Sequence, residues 1–172
     1  SRVVALDVGS NNGDWVQRII SPIMKRAGAR GLHPHTFILE PQAVFAPRLT
    51  KLVERMGNAT FIQAAAWKEN TTLPWTEQGG STSASLLRSK DKGSNTVAAV
   101  DLAALIERAT RPGPGGGRVV TLLKFDVEGA EYKLLPWPLL QGALCRPTHL
   151  LLHWPPRLPP PHDRPAGLRP PL

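Results

Sequence analysis

Cysteine is almost absent from this chain, since Cys145 is the only one among 172 residues. An intrachain disulfide and a cysteine zinc cluster are therefore excluded. No apolar run approaches the ~18 residues that a membrane-spanning helix needs. The chain does not open with the basic and apolar segments of a secretory signal, so no targeting signal is visible and no compartment is assigned. The sequence also assigns no oligomeric state.

Aromatic residues are scarce, at 6% of the chain, whereas lysine and arginine outnumber aspartate and glutamate by 21 to 13. The resulting charge of +8 could suit nucleic acid, an anionic membrane surface or an acidic substrate. Nucleic-acid sites usually cluster their basic residues on one face, and here these residues are scattered. We therefore expect a solvated basic surface and no nucleic-acid partner. An RNA-associated role stays open as a weaker hypothesis that rests on the charge alone.

Proline is abundant but unevenly spread, because eight of the 18 prolines lie within residues 155–172. We predict one domain over residues 1–154 and a Pro-rich tail over 155–172 that is extended or disordered. The chain starts directly on a strand-like apolar run. We therefore expect a domain that is truncated at both ends.

Along the domain, short apolar runs alternate with segments in which apolar residues recur at the spacing of a helix. The runs that predict sheet strands are residues 2–8, 36–40, 59–66, 119–125 and 148–154. Short extra strands are predicted at 71–75 and 96–100. Strand–helix alternation of this kind predicts an α/β fold with a doubly wound, mostly parallel sheet.

The intervening segments carry apolar residues at helical intervals. The first helix is expected to be capped by Asp14. Its inward face is predicted to hold Trp15, Ile19, Ile20, Ile23 and Met24. Further helices are predicted from Pro41 to Met56, from Asp101, and over 128–135, where Pro136 and Pro138 should end the last one.

The first candidate motif, Asp7-x-Gly9-x-Asn11-x-Gly13, directly follows the first strand. Gly9 permits a tight turn, and asparagine tolerates left-handed backbone better than most residues. Backbone N–H groups near a helix N-terminus suit an anion such as a carboxylate or phosphate. The pattern lacks the G-x-G-x-x-G spacing of a dinucleotide fingerprint, the Gly-Lys of a P-loop and the ligand spacing of a calcium loop. A plain strand–turn–helix connection remains the alternative.

Three further carboxylates lie at or just after the ends of buried strands. Glu40 ends the second predicted strand, where a carboxylate can accept both hydroxyls of an adenosine ribose. The alternative is a helix N-terminal charge worth about 0.3–1 kcal/mol. Asp126 and Glu128 follow the strand 119–125, and they could either act in catalysis or cap the next helix. Carboxyl ends of parallel strands meet at one sheet edge, so these groups should face a common crevice.

In five ordered segments the chain resembles the FkbM family of S-adenosylmethionine (SAM)-dependent methyltransferases. The segments are Asp7–Gly13, Glu40-Pro41, Ala64–Ala66, Val100–Leu102 and Lys124–Glu131, the last close to the signature K-x-D-x-E-G-x-E. The resemblance implies a Rossmann-like methyltransferase sheet in strand order 3-2-1-4-5. The usual C-terminal edge hairpin is expected to be lacking, because prolines stand where its strands would be.

The resemblance also implies roles for individual residues. SAM contacts are implied for Asp7, Gly9, Ser10, Asn11 and Gly13 on the methionine side, for Glu40 at the ribose, and for Gln63, Ala64 and Ala65 near the adenine. Asp126 is implied at the methyl-transfer site, with Lys124 and Glu128 in support. An acidic residue would be expected where His153 or Trp154 stands.

The expected function is SAM-dependent methylation of a hydroxyl on a sugar, lipid or small metabolite. A hydroxyl acceptor needs a base, for which Asp126 is the first candidate and Glu128 the second. No metal is expected, because two carboxylates are too few to hold a divalent cation. The alternative is a catalytically inactive methyltransferase-like domain that serves as a binding or assembly module.

Overall fold

A computed structural model describes residues 1–75, 96–113, 116–127 and 130–153. Within these ranges the chain forms strands in two sheets. They are β1 Arg2–Val8, β2 His33–Leu39, β3 Ala59–Ile62, β4 Ala65–Trp67, β5 Thr71–Pro74, β6 Thr96–Asp101, β7 Val119–Phe125 and β8 His149–Leu152.

Helices connect most of these strands. They are α1 Ser21–Ala29 after a π-helical turn at Val16–Ile20, α2 Ala46–Met56 after a 3-10 turn at Ala43–Phe45, α3 Leu102–Thr110, α4 Glu131–Leu134 and α5 Pro136–Leu140, followed by a 3-10 turn at Ala143–Cys145. No described helix is long and apolar enough to cross a membrane.

The main sheet is fully parallel and has the strand order β3-β2-β1-β7-β8. Counted along this sheet alone, the order is 3-2-1-4-5, so the predicted α/β fold class and topology are confirmed. The register aligns the carboxyl ends of the three central strands, since Val8 pairs with Leu39 on β2 and with Phe125 on β7. The loops after these strands therefore begin at the same sheet edge.

Both faces of the main sheet are covered by helices. Val4, Leu6 and Val8 belong to one buried core together with residues of α3, whereas Ala5 packs in a second core with residues of the π-helical turn, α1 and α2. Successive side chains of a strand point to opposite faces, which explains this division. β1 is thus buried on both sides, as a central parallel strand should be.

The predicted third strand, 59–66, is two strands in different sheets. β3 pairs with β2, whereas β4 pairs in parallel with β6, and β6 pairs antiparallel with β5. The chain turns between them, where the Ala64 N–H donates to the Ile62 carbonyl over 2.9 Å. The prediction missed this turn because the run has no glycine or proline. The strands predicted at 71–75 and 96–100 are both present.

Two helix predictions are wrong in detail. Ile19 and Ile23 are 47% and 41% exposed, and the buried stripe of the first helix is Val16, Ile20, Met24 and Ala27. Ile20 and Met24 are buried as predicted, and Trp15 packs against the same core. The segment has more apolar residues than one face can bury, so spacing alone placed Ile19 and Ile23 on the wrong face. Pro136 does not end helical structure either. It begins α5, because proline at a first helical position sacrifices no hydrogen bond.

The predicted Pro-rich tail, 155–172, lies outside the described residues. The last described strand, β8, is shorter than the predicted 148–154.

Candidate active site

An open cleft of about 670 Å³, counting its mouth, lies at the carboxyl edge of the main sheet. Its wall is formed by the loops after β1, β2 and β7 together with residues that lead into the second sheet. The lining residues are Val8, Gly9, Asn11, Leu39, Glu40, Pro41, Gln42, Ala64, Ala65, Ala66, Trp75, Asp126, Val127 and Ala130.

The loop after β1 needs glycine at two positions. Gly9 has φ +81°, and a Cβ there would lie 1.7 Å from the carbonyl oxygen of Asp126. Gly13 has φ +79°, and its Cβ would meet the Leu49 side chain of α2 at 2.8 Å. Asn11 also has positive φ, at 51°. The motif spacing therefore allows this loop to approach both the β7 loop and α2 closely.

Backbone donors of this loop are all used within the protein. Gly9 and Ser10 donate to the Leu39 carbonyl, Asn11 donates to Glu40 Oε2, and the N–H groups of residues 12–14 donate to acceptors inside the loop. The predicted anion site at these N–H groups therefore has no unpaired donor from Gly9 to Asp14 in this structure. Asp14, the expected cap, contributes its carboxylate to an ion pair with Arg48 of α2.

Glu40 is only 3% exposed, and both of its carboxylate oxygens are occupied. Oε2 accepts the Asn11 N–H at 2.7 Å, and Oε1 accepts the Gln42 N–H at 3.0 Å. Burial raises the pKa of Glu40, while the two N–H donors oppose the rise. Each carboxylate oxygen has more than one lone pair, so Glu40 can hold the β1 loop and still accept from a ligand.

Lys124 lies at the centre of a charge network beneath the cleft. Its Nζ is 3.0 Å from Asp7 Oδ1 and 3.4 Å from Asp126 Oδ2, and it donates to the Gly9 carbonyl at 2.8 Å. It also lies 5.6 Å from the centroid of the Trp15 ring. Burial raises the pKa of Asp7, and the Lys124 ammonium opposes that rise. One cation thus ties the β1 loop to the β7 loop.

Asp126 has a second partner, which sequence reasoning missed. His153 Nδ1 lies 2.7 Å from Asp126 Oδ1, and the His153 N–H donates to the Phe125 carbonyl. The imidazole therefore contacts Asp126, the residue expected to act as the base. His153 occupies one of the two positions where an acidic side chain was expected. Glu131 is fully buried and accepts the Val127 N–H at 2.8 Å, so it shapes the β7 loop from below.

The structure brings six of the predicted site residues to the cleft wall: Gly9, Asn11, Glu40, Ala64, Ala65 and Asp126. The others are placed elsewhere. Asp7, Ser10 and Lys124 are buried, Gly13 packs on α2, and Gln63 is exposed on the turn after β3. Glu128 lies outside the described residues.

Trp75 is the largest lining side chain that the sequence analysis did not single out. It follows β5 directly and is 6% exposed. The only signal in the sequence was its place at the end of a short apolar run in an otherwise polar segment. Gln42 was also missed, although it follows Glu40-Pro41.

Metal ligands are not gathered in the described part of the chain. There, no three His, Cys, Asp or Glu side chains stand together as a cation would require.

Comparisons with known proteins agree with the fold and the motifs. The sequence profile of the Methyltransferase FkbM domain matches residues 7–154, which is most of the chain. A comparison with curated protein sequences gives no significant match.

One solved structure has a similar fold, the crystal structure of Methyltransferase FkbM from Methylobacillus flagellatus KT at 2.20 Å resolution. The TM-score is 0.51 at 13% sequence identity, with 88% of this chain covered. The match spans 32% of that protein, so this chain corresponds to about a third of its length. A likeness at such low identity shows the fold alone.

Proposed function

Because the chain belongs to the FkbM methyltransferase family, we propose that it binds SAM in the cleft and methylates a hydroxyl group. The acceptor class that we propose is a sugar, lipid or small metabolite. A methyltransferase assignment follows from the family. The methyl donor, the acceptor and the residue roles are our proposal.

The observation that carries the proposal is the convergence of Asn11, Glu40 and Asp126 on one cleft. These residues follow three neighbouring parallel strands and are separated in sequence by 29 and 86 positions. Ligands of open α/β sheets bind at this edge of the strands. Ala64–Ala66 add a small-residue wall on the side of the second sheet, which leaves room for a flat base.

Each lining group has a chemical task in this proposal. Glu40 would accept ribose hydroxyls, Gly9 and Asn11 would contact the methionine part, and the Ala64 and Ala65 wall would contact the adenine. Bound SAM supplies an electrophilic methyl group for the acceptor oxygen. Asp126 would take the proton of the attacking hydroxyl.

The Asp126 carboxylate is oriented for that task by two partners, Lys124 on one oxygen and His153 on the other. A fixed carboxylate spares the cost of ordering it when the acceptor arrives. The His153 side chain is 62% exposed, so the contact between Asp126 and His153 leads from the cleft toward solvent. A proton that Asp126 accepts could therefore pass outward through the imidazole.

An inactive binding module remains the second candidate because of one observation. The β1 loop donors, both Glu40 oxygens and both Asp126 oxygens already have partners within the protein. A scaffold that only needs a rigid sheet edge would be arranged in the same way.

Binding of S-adenosylhomocysteine, the demethylated product of SAM, tests the proposal without knowledge of the acceptor. At 100 times its Kd the product should add about 2.7 kcal/mol of stability, which raises the Tm by about 5–10 °C. The E40A variant should lose at least ten-fold in affinity by calorimetry, because hydrogen bonds to a charged group contribute about 1.5–3 kcal/mol.

The E54A variant removes an exposed carboxylate from α2 and is the matched control. It should bind the product as the unmodified chain does. No stabilisation by millimolar product would reject the SAM site and leave the inactive module as the better account. Product binding that E40A leaves unchanged would reject the ribose role of Glu40.

A further inference from the structure

We propose that the outward side of α1 and α2 is a docking surface for a membrane that contains anionic phospholipids. We call this surface, formed by residues 16–30 and 43–56, the basic face. The inference does not depend on the proposed SAM site, because it concerns the helices that cover one side of the main sheet.

The fold collects on one side of the main sheet many of the basic residues that are scattered in the sequence. The π-helical turn, α1 and α2 pack in the same core with Ala5 and Ile38, so they cover one side of that sheet. Residues 16–30 and 43–56 together contain seven lysines and arginines and one carboxylate. The opposite side, covered by α3 and residues 131–145, has two of each. The excess positive charge of these helices therefore lies on a single side.

The cations of the basic face are accessible to an external partner. All seven are exposed, and they are Arg18, Lys25, Arg26, Arg30, Arg48, Lys51 and Arg55. In the part of the chain that the structure describes, only Arg48 among them has a carboxylate partner, which is Asp14. The sequence has no aspartate or glutamate from residue 15 to residue 39, so no carboxylate of its own segment neutralises α1. A surface of this kind attracts anionic partners.

Two exposed isoleucines favour a membrane over a partner that is bound through charge alone. Ile19 and Ile23 are 47% and 41% exposed and stand four residues apart, so they share one side of the helix. Arg26 and Arg30 continue the same row at intervals of three and four residues. A helix with this arrangement binds at a lipid interface, because its apolar side chains enter the acyl boundary while its cations contact the headgroups.

A third exposed apolar side chain lies on the same side of the sheet. Val44 is 71% exposed in the 3-10 turn that precedes α2. Neighbouring lysine and arginine stems can lie along such apolar groups while their charges reach the headgroups. Each cation near an anionic lipid surface raises the affinity by about fivefold. Seven cations with three apolar side chains therefore fit a bilayer that contains acidic phospholipids better than a neutral one.

Cosedimentation with lipid vesicles tests the proposal on the whole chain. The unmodified chain should bind vesicles of phosphatidylcholine and phosphatidylserine at least tenfold more tightly than vesicles of phosphatidylcholine alone. The K25E/R26E variant should lose at least tenfold in affinity for the mixed vesicles. R108E/R111E changes two exposed arginines at the end of α3 and has the same net charge, so it is the matched control. It should bind much as the unmodified chain does, because charges more than a Debye length from the lipid are screened.

A second pair of variants measures the apolar contribution. I19S/I23S should weaken binding to the mixed vesicles by about threefold to tenfold, because less apolar area is buried in the lipid. L139S/L140S changes two leucines of α5 that are 59% and 80% exposed on the opposite side of the sheet. This control should bind as the unmodified chain does.

Hydrogen–deuterium exchange of the unmodified chain with the mixed vesicles locates the contact without any variant. Exchange should slow in residues 16–30 and stay unchanged across α3. This measurement decides the question even if one of the variants does not fold.

Four results would overturn the inference. The first is equal or absent binding of the unmodified chain to the two kinds of vesicle. The second is an equal loss by K25E/R26E and R108E/R111E, which would mean that only the net charge matters. The third is unchanged binding by I19S/I23S. The fourth is binding to a short single-stranded RNA but not to the mixed vesicles, which would assign the basic face to nucleic acid.

Discussion

Lys124 is the residue on which the polar part of the site depends. Its ammonium contacts the Asp7 carboxylate on β1, the Gly9 carbonyl in the loop after β1 and the Asp126 carboxylate in the loop after β7, and its side chain is 9% exposed. The resemblance implied a supporting role for it in catalysis. The structure gives it a position that also matters for folding, because Asp7 beneath it is fully buried.

We predict that K124M destabilises the fold by about 3–5 kcal/mol, because it leaves the Asp7 charge buried without its cation. Urea unfolding followed by circular dichroism measures this loss. The double variant D7N/K124M removes both charges and should recover much of the stability.

Lys51 is exposed on α2, so K51M should change the free energy of unfolding by less than about 0.5 kcal/mol. A K124M variant as stable as K51M would contradict the role assigned to the Lys124–Asp7 pair. If the double variant were no more stable than K124M, the stability lost in K124M would not come from the unpaired charge of Asp7.

At the scale of elements, the strands with strong patterns were predicted well and the connections less so. β1, β7 and the second half of β2 are mostly apolar and largely buried, so composition alone marked them. The second sheet was missed as a unit, because β4, β5 and β6 are short and their pairing depends on contacts between distant segments. The same distance in sequence hid the cleft position of Trp75 and the contact of His153 with Asp126, because both arise only when separate elements meet.

The start of α3 joins this second sheet to the main core. Asp101 ends β6, and its Oδ1 accepts the Ala104 N–H at 3.0 Å as an N-cap. We predict that D101A lowers the free energy of unfolding by about 0.5–2 kcal/mol, as loss of a cap does. The D101N variant keeps a capping oxygen and should remain within a few tenths of a kcal/mol of the unmodified chain. Equal losses in both variants would show that the charge, and not the cap, matters.

At the scale of the whole molecule, a doubly wound sheet buries helices on both faces and leaves its carboxyl edge for a ligand. The motif spacing predicted that Asn11, Glu40 and Asp126 would lie together at this edge, and all three line the cleft there. It could not predict that the β1 loop satisfies its own donors, since that depends on the Leu39 carbonyl and on Glu40. Local sequence thus indicates where the site lies, while the hydrogen-bond partners follow from packing.

Hydrogen–deuterium exchange with and without S-adenosylhomocysteine tests the central claim most directly, because it locates the ligand on the fold. The account predicts slower exchange in the segments 9–13, 40–42, 64–66 and 126–127, which converge on the cleft, and unchanged exchange across α3. Protection confined to α3 and α5, or no protection at a saturating ligand concentration, would contradict the account.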